Sequence, residues 1–143
     1  MSIRDIYNDY FEAFEVAFDS DAWEPIGEFF AEDAIYDAPR GGRVEGRDAI
    51  LAQFKGSLDQ FDRQFPLKRR IEVIESEVVE EGDYLKIPGN IHYSLPGAPS
   101  LVFYMEEEAW FADGRIQKLV DTIPSAEAQK MMNYVQEHLG AGG

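Results

Sequence analysis

Asp121 stands between Leu119 and Ile123 at the two-residue spacing that puts all three on one face of a strand. A carboxylate held between apolar neighbours loses hydration, and its pKa rises toward the range where a proton can be passed at neutral pH. Three roles are open to it: an acid/base group, a polar contact to a ligand, or a hydrogen-bonded strand carboxylate close to a helix start at Ser125. Glu107 has a similar setting. Alternation groups it with Phe103, Met105, Ala109 and Phe111, and leaves Glu106 and Glu108 with Tyr104 and Trp110. His92, flanked by Ile91 and Tyr93, is the one histidine in strand-like sequence, and imidazole chemistry suits proton transfer near neutrality. Asp37 either caps the turn that follows it or faces a ligand. The Glu106-Glu107-Glu108 run is split between two faces, so it does not converge on a divalent metal. Asp19-Ser20-Asp21 begins like a calcium loop, but Trp23 and Phe30 occupy later ligand positions.

These groups need elements to hold them. Ile6, Tyr10, Ala13/Phe14 and Ala17 recur at helical spacing, so a helix is expected over Ile3–Phe18, widened by Tyr7, Phe11 and Phe18 and broken by Asp19-Ser20-Asp21. A second short helix is expected over Trp23–Glu32, with Pro25 in its first turn. Ala34–Tyr36 then runs extended into Ala38-Pro39, Arg40-Gly41-Gly42 is turn chemistry, and Asp48 is the expected N-cap of a helix to about Asp62. That helix carries Ile50, Phe54, Leu58 and Phe61 on one face, and Pro66 ends the region. Turn signals at Glu81-Gly82-Asp83, Pro96-Gly97-Ala98-Pro99 and Ala112-Asp113-Gly114 divide the rest into strands near 67–80, 84–95, 100–111 and 115–123. Gly89 after Pro88 reads as a bulge or an edge bend. A last helix over Ser125–Leu139, capped by Ser125 and stopped by Gly140, brings His138 to its C-terminal dipole. Helices first and a meander after make an α+β order rather than alternating βαβ units.

With 143 residues and no repeat or linker, one domain over 1–143 is expected, burying roughly 68–70% of its unfolded surface. No cysteine is present, which excludes thiol chemistry and disulfides. The net charge is −15, which repels nucleic acid. Lys68-Arg69-Arg70, the one basic cluster, reads as solvated charge at a strand end. The N-terminus lacks the apolar core of a signal peptide and no run is long enough for a membrane span, so a cytoplasmic location is expected. Phosphate-loop, dinucleotide, nucleophile-elbow and zinc-protease motifs are absent.

Three strings, FFAEDAIYDAP (29–39), GRDAILAQF (46–54) and DGRIQKLVDTI (113–123), resemble in order and separation the SnoaL-like and ketosteroid-isomerase-like branches of the nuclear transport factor 2-like superfamily. The resemblance implies a curved, mostly antiparallel sheet wrapped with N-terminal helices into a conical, cystatin-like barrel around one internal pocket. It also implies a homodimer and a small apolar metabolite as ligand; with no cofactor motif and no converging ligand spacing, no cofactor or metal is expected. SnoaL-like polyketide cyclases use an aspartate on the last strand after a G-[KR]-I turn, and Asp121 follows Gly114-Arg115-Ile116 in the matching position. Steroid-isomerase chemistry does not transfer. Ala38 stands where those enzymes carry their base, Asp37 is one position early and so faces the other way, and Phe14 falls where they carry a tyrosine donor.

The expected activity is acid/base cyclase or isomerase chemistry on an apolar cyclic or carbonyl compound, with Asp121 catalytic. Phe14, Tyr36, Asp37 and His92 are expected around the ligand, with Met105, Glu107 and Leu119 on the strands beside Asp121. A non-catalytic ligand-binding module and a dimerisation or docking domain are the alternatives.

Overall fold

The computed structural model describes residues 2–39, 42–60 and 68–138, without the side chains of 58–60 and 68. Helix α1 (Ile3–Ser20) starts at a capping box in which Ser2 and Asp5 exchange side-chain bonds to each other's backbone N–H, and ends with Asp21 left-handed at φ 58°. The expected second helix is only a six-residue 3-10 segment, Glu24–Phe29, and strand β1 (Phe30–Ala38) begins at once. Phe30 is fully buried, and its strand geometry is set by pairing with Ile116 on the last strand rather than by local propensity.

Strand β2 (Gly42–Glu45) folds back on β1, and α2 (Arg47–Gln60) follows. Gly46, at φ 97°, receives the first helical bond from Ile50 N, so Asp48 lies inside the first turn and is not the cap. The Arg47 guanidinium forks onto the Phe30 carbonyl at 3.2 and 2.8 Å, tying α2 to the irregular start of β1.

The expected strand over 67–80 is two: β3 (Lys68–Val73) and β4 (Val79–Glu81), separated by a 3-10 turn at Glu75–Glu77. Pro88 causes the break. Its carbonyl accepts from Ile74 N at 3.0 Å, but it has no N–H to continue the ladder on that side. Gly89 is neither a bulge nor an edge residue. It pairs with Val73 on one side and Met105 on the other, and a Cβ there would lie 2.9 Å from the Glu72 carbonyl oxygen.

Strands β5 (Tyr84–Ser94), β6 (Leu101–Ala112) and β7 (Arg115–Thr122) form the expected meander, and α3 (Ser125–His138) ends the described chain. The curved, unclosed seven-stranded sheet runs β2-β1-β7-β6-β5-β3, with β4 also on β5; only the β1–β7 pairing is parallel. In α3 the first bonds go to the Pro124 carbonyl, so Ser125 is the first helical residue and not the cap. Helix α3 covers the stretch of β6 that β7 is too short to reach. Glu127 accepts from Tyr104 N, Lys130 donates to the Val102 carbonyl, and Tyr134 donates to the Pro99 carbonyl. Met131 and Tyr134 pack there on Ile91, Tyr93, Leu101 and Phe103.

The larger core lies between α1, α2 and the concave sheet, with Ile26, Phe30, Ile50, Leu85, Ile116 and Leu119 fully buried. Among the described residues no helix is long and apolar enough to cross a membrane. The Arg40-Gly41 turn, the Leu58 and Phe61 contribution to α2, the break at Pro66 and the stop at Gly140 lie outside the described residues and side chains.

Candidate active site

The concave face leaves a cavity of about 170 Å³ between the sheet and helices α1 and α2. That is the scale at which a protein cavity takes up a single ring. Phe11, Phe14, Phe54, Ile71, Ile87 and Met105 give most of its wall an apolar surface. Gly89 belongs to the same wall.

Two carboxyl groups interrupt the apolar wall. Glu107 on β6 and Asp121 on β7 are directly opposite partners in the antiparallel ladder, so their side chains project side by side from one face. Each is held by a tyrosine. Tyr7 of α1 donates to Glu107 Oε1 at 2.6 Å, and Tyr36 of β1 donates to Asp121 Oδ2 at 2.6 Å. Asp121 Oδ1 is buried and accepts from no donor of the protein. Burial, then the charge and closeness of Glu107, raise the Asp121 pKa well above the usual carboxylate range; the Tyr36 bond opposes this without cancelling it. Two carboxylates side by side in an apolar wall repel each other, which favours the protonated form of Asp121. Burial, followed by the charge and hydrogen bond of the facing carboxylate, likewise pushes the Tyr7 and Tyr36 hydroxyls up, so both stay neutral donors.

Arg69 lies elsewhere in the cavity wall. Its side chain is 8% exposed, its Nη2 donates to Glu15 Oε1 at 2.7 Å, and its guanidinium lies 4.3 Å from the Phe18 ring centre and 5.4 Å from that of Phe14. Its Nε is buried with no hydrogen-bond partner. Tyr10 stands between the two polar regions. Burial raises its pKa most, both carboxylates add to the rise, and Arg69 alone lowers it.

Of the residues singled out in the sequence, Phe14, Tyr36, Met105, Glu107 and Asp121 all line the cavity. Leu119 does not; it is fully buried in the core beneath. Asp37 and His92 are corrections of phase. Tyr36 and Ile91 face the cavity, so their strand neighbours Asp37 and His92 take the outer face of the sheet. There His92 Nε2 lies 3.6 Å from Glu72 Oε1, too far for a hydrogen bond. The basic cluster is also corrected. Arg69 is an inward residue, and its spacing from Ile71 and Val73, also in the wall, was the available signal. Tyr7 and Tyr10 were read only as part of an apolar stripe. Tyr7 precedes Phe14 by two helical turns and supplies the α1 hydroxyl that Phe14 lacks. Among the described residues no three His, Asp or Glu side chains gather as a metal site requires.

A curved, unclosed seven-stranded sheet covered by N-terminal helices matches the nuclear transport factor 2-like architecture. The chain belongs to the SnoaL-like domain family, whose model matches residues 8–119. Among solved structures, a proposed SnoaL-like polyketide cyclase from Shewanella putrefaciens CN-32 shares 15% identity over 94% of this chain and 85% of its own, at a TM-score of 0.69. A protein of unknown function from Burkholderia pseudomallei shares 19% over 90% and 95%, at 0.67. An LEH-like epoxide hydrolase from M. tuberculosis shares 13% over 92% of each chain, at 0.61. At these identities the likeness carries the fold. No curated protein sequence matches this chain significantly.

Proposed function

We propose that this SnoaL-like domain is an acid/base enzyme of cyclase or isomerase type, acting on a small, largely apolar ring compound that carries a carbonyl group. The observation that supports it is the Glu107–Asp121 pair, buried in an apolar cavity and steadied by Tyr7 and Tyr36. The charged member of the pair takes a proton from a ligand carbon whose electrons can pass into the carbonyl. The protonated member, Asp121, returns a proton to a neighbouring atom. One C–H bond breaks and another forms, and the pair ends with the one proton and one charge it began with. Neighbours described as a polyketide cyclase and an epoxide hydrolase accord with proton-transfer chemistry in this architecture. The chain acts as one domain, and pairing with a second copy through the outer sheet face of Tyr84, Tyr104 and Trp110 belongs to the same reading.

Native mass spectrometry of the purified protein tests ligand and assembly together. The expected spectrum is a dimer that releases a small apolar molecule on activation. Incubated in deuterium oxide, the protein is expected to catalyse exchange into cyclohex-2-enone. A protein that retains nothing and leaves that exchange at the buffer rate contradicts the proposal.

A further inference from the structure

Among the described residues, Arg69 is a buried charge left only partly partnered. Its side chain is more than nine-tenths buried, it borders the cavity, and its Nε has no partner. A buried N–H left unpaired is costly, and an acceptor placed against it recovers that cost. Charge is not what the site lacks. Glu15 lies 2.7 Å from Nη2 and balances the guanidinium, and two phenylalanine rings cover it. A second anion brought here would face Glu15 and, across the cavity, Glu107. A neutral carbonyl oxygen satisfies Nε without adding buried charge.

Resting on the acid/base reading, we infer that Arg69 is the seat for the ligand's neutral carbonyl oxygen, and that the natural ligand is a single-ring ketone or enone rather than a carboxylate. The spacing suits it. Tyr7, which marks the carboxyl pair, and Phe14, which lies under Arg69, are seven residues apart on α1, about 10 Å along the axis. One ring with its carbonyl spans that gap when hydrogen-bonded at one end and in contact with the pair at the other. Negative charge that reaches the oxygen as a proton leaves the far side of a conjugated ring then develops beside the guanidinium.

Three probes of one shape test this by equilibrium binding: cyclohex-2-enone, cyclohexene and cyclohex-1-ene-carboxylate. No cysteine is present to trap the enone. Arg69→Met is expected to weaken enone binding about tenfold and leave cyclohexene unchanged. Arg69→Lys, which keeps the charge but removes Nε, should weaken the enone as well. The infrared carbonyl stretch of bound enone should fall in the wild type and return to its apolar-solvent position in Arg69→Met. Glu15→Gln, at a partly exposed site that does not threaten folding, uncovers the guanidinium charge and should raise carboxylate affinity severalfold. Enone affinity and carbonyl frequency that ignore Arg69, or a wild type that prefers the carboxylate, overturn the inference. Because none of these readings needs turnover, an inactive carboxyl pair would sink the acid/base proposal and leave the carbonyl seat standing.

Discussion

Replacing Asp121 with asparagine is expected to slow deuterium exchange into cyclohex-2-enone by about 10²–10⁴-fold while leaving the affinity for the enone nearly unchanged. The same change is expected to raise the melting temperature at pH 8 by about 3–5 °C. Both effects come from one buried carboxyl. Asparagine fills the same space, accepts from Tyr36 and donates to Glu107, but it cannot pass a proton. Burial and Glu107 raise the folded-state pKa of Asp121 above its unfolded value, so the native protein holds a proton that the unfolded chain has lost. Stability from this site is therefore present at acid pH and falls as pH climbs from the ordinary carboxylate range through the raised folded value. The asparagine variant escapes that loss, so its advantage over the wild type should widen with pH and shrink toward pH 4. Thermal melts across pH, paired with exchange rates by NMR, check both halves. Undiminished exchange would remove Asp121 from the chemistry. A melting difference that is flat with pH would contradict the raised pKa.

Phe54→Ala is expected to cost about 3–5 kcal/mol and lower the melting temperature by about 10 °C or more. Phe54 is 5% exposed and joins core to cavity. Its ring lies 5.4 Å from Phe14, 6.2 Å from Trp23, 6.0 Å from Phe30 and 5.1 Å from Tyr36, centre to centre. Removing it opens a hole among four aromatic side chains and withdraws the contact that steadies Tyr36 against Asp121. Because the hole is apolar and continuous with the cavity, toluene should restore more melting temperature to the variant than to the wild type. A loss below about 1 kcal/mol, or no difference in rescue, would show that the cluster is not the support described.

The meander was legible because its punctuation is chemical. Gly82, Asp113 and Gly114 take positive φ where β4 meets β5 and β6 meets β7, and Gly97 does so in the loop between β5 and β6, conformations that glycine and aspartate adopt most readily. That Glu107 shares a face with Met105, and Asp121 with Leu119, followed from period-two alternation within single strands. Alternation yields which residues share a face but not which face meets the cavity, and Asp37 and His92 fell on the wrong side for that reason. Arg69 was masked by Lys68 and Arg70, whose charges made the cluster look solvated. The Tyr7–Glu107 bond joins residues 100 positions apart and the Tyr36–Asp121 bond residues 85 apart, so neither had a local trace. The 3-10 segment at Glu24–Phe29 gave way to strand at Phe30 because partnership with β7 outweighed the helix-like pattern.

The most direct measurement is the protonation state of Asp121 itself, by carbon-13 NMR of the side-chain carboxyls through a pH titration. The Asp121 carboxyl is predicted to titrate well above the ordinary carboxylate range, to be absent in Asp121→Asn, and to move down toward that range in Glu107→Gln. A carboxyl that titrates in that ordinary range in the wild type, indifferent to Glu107, would contradict it.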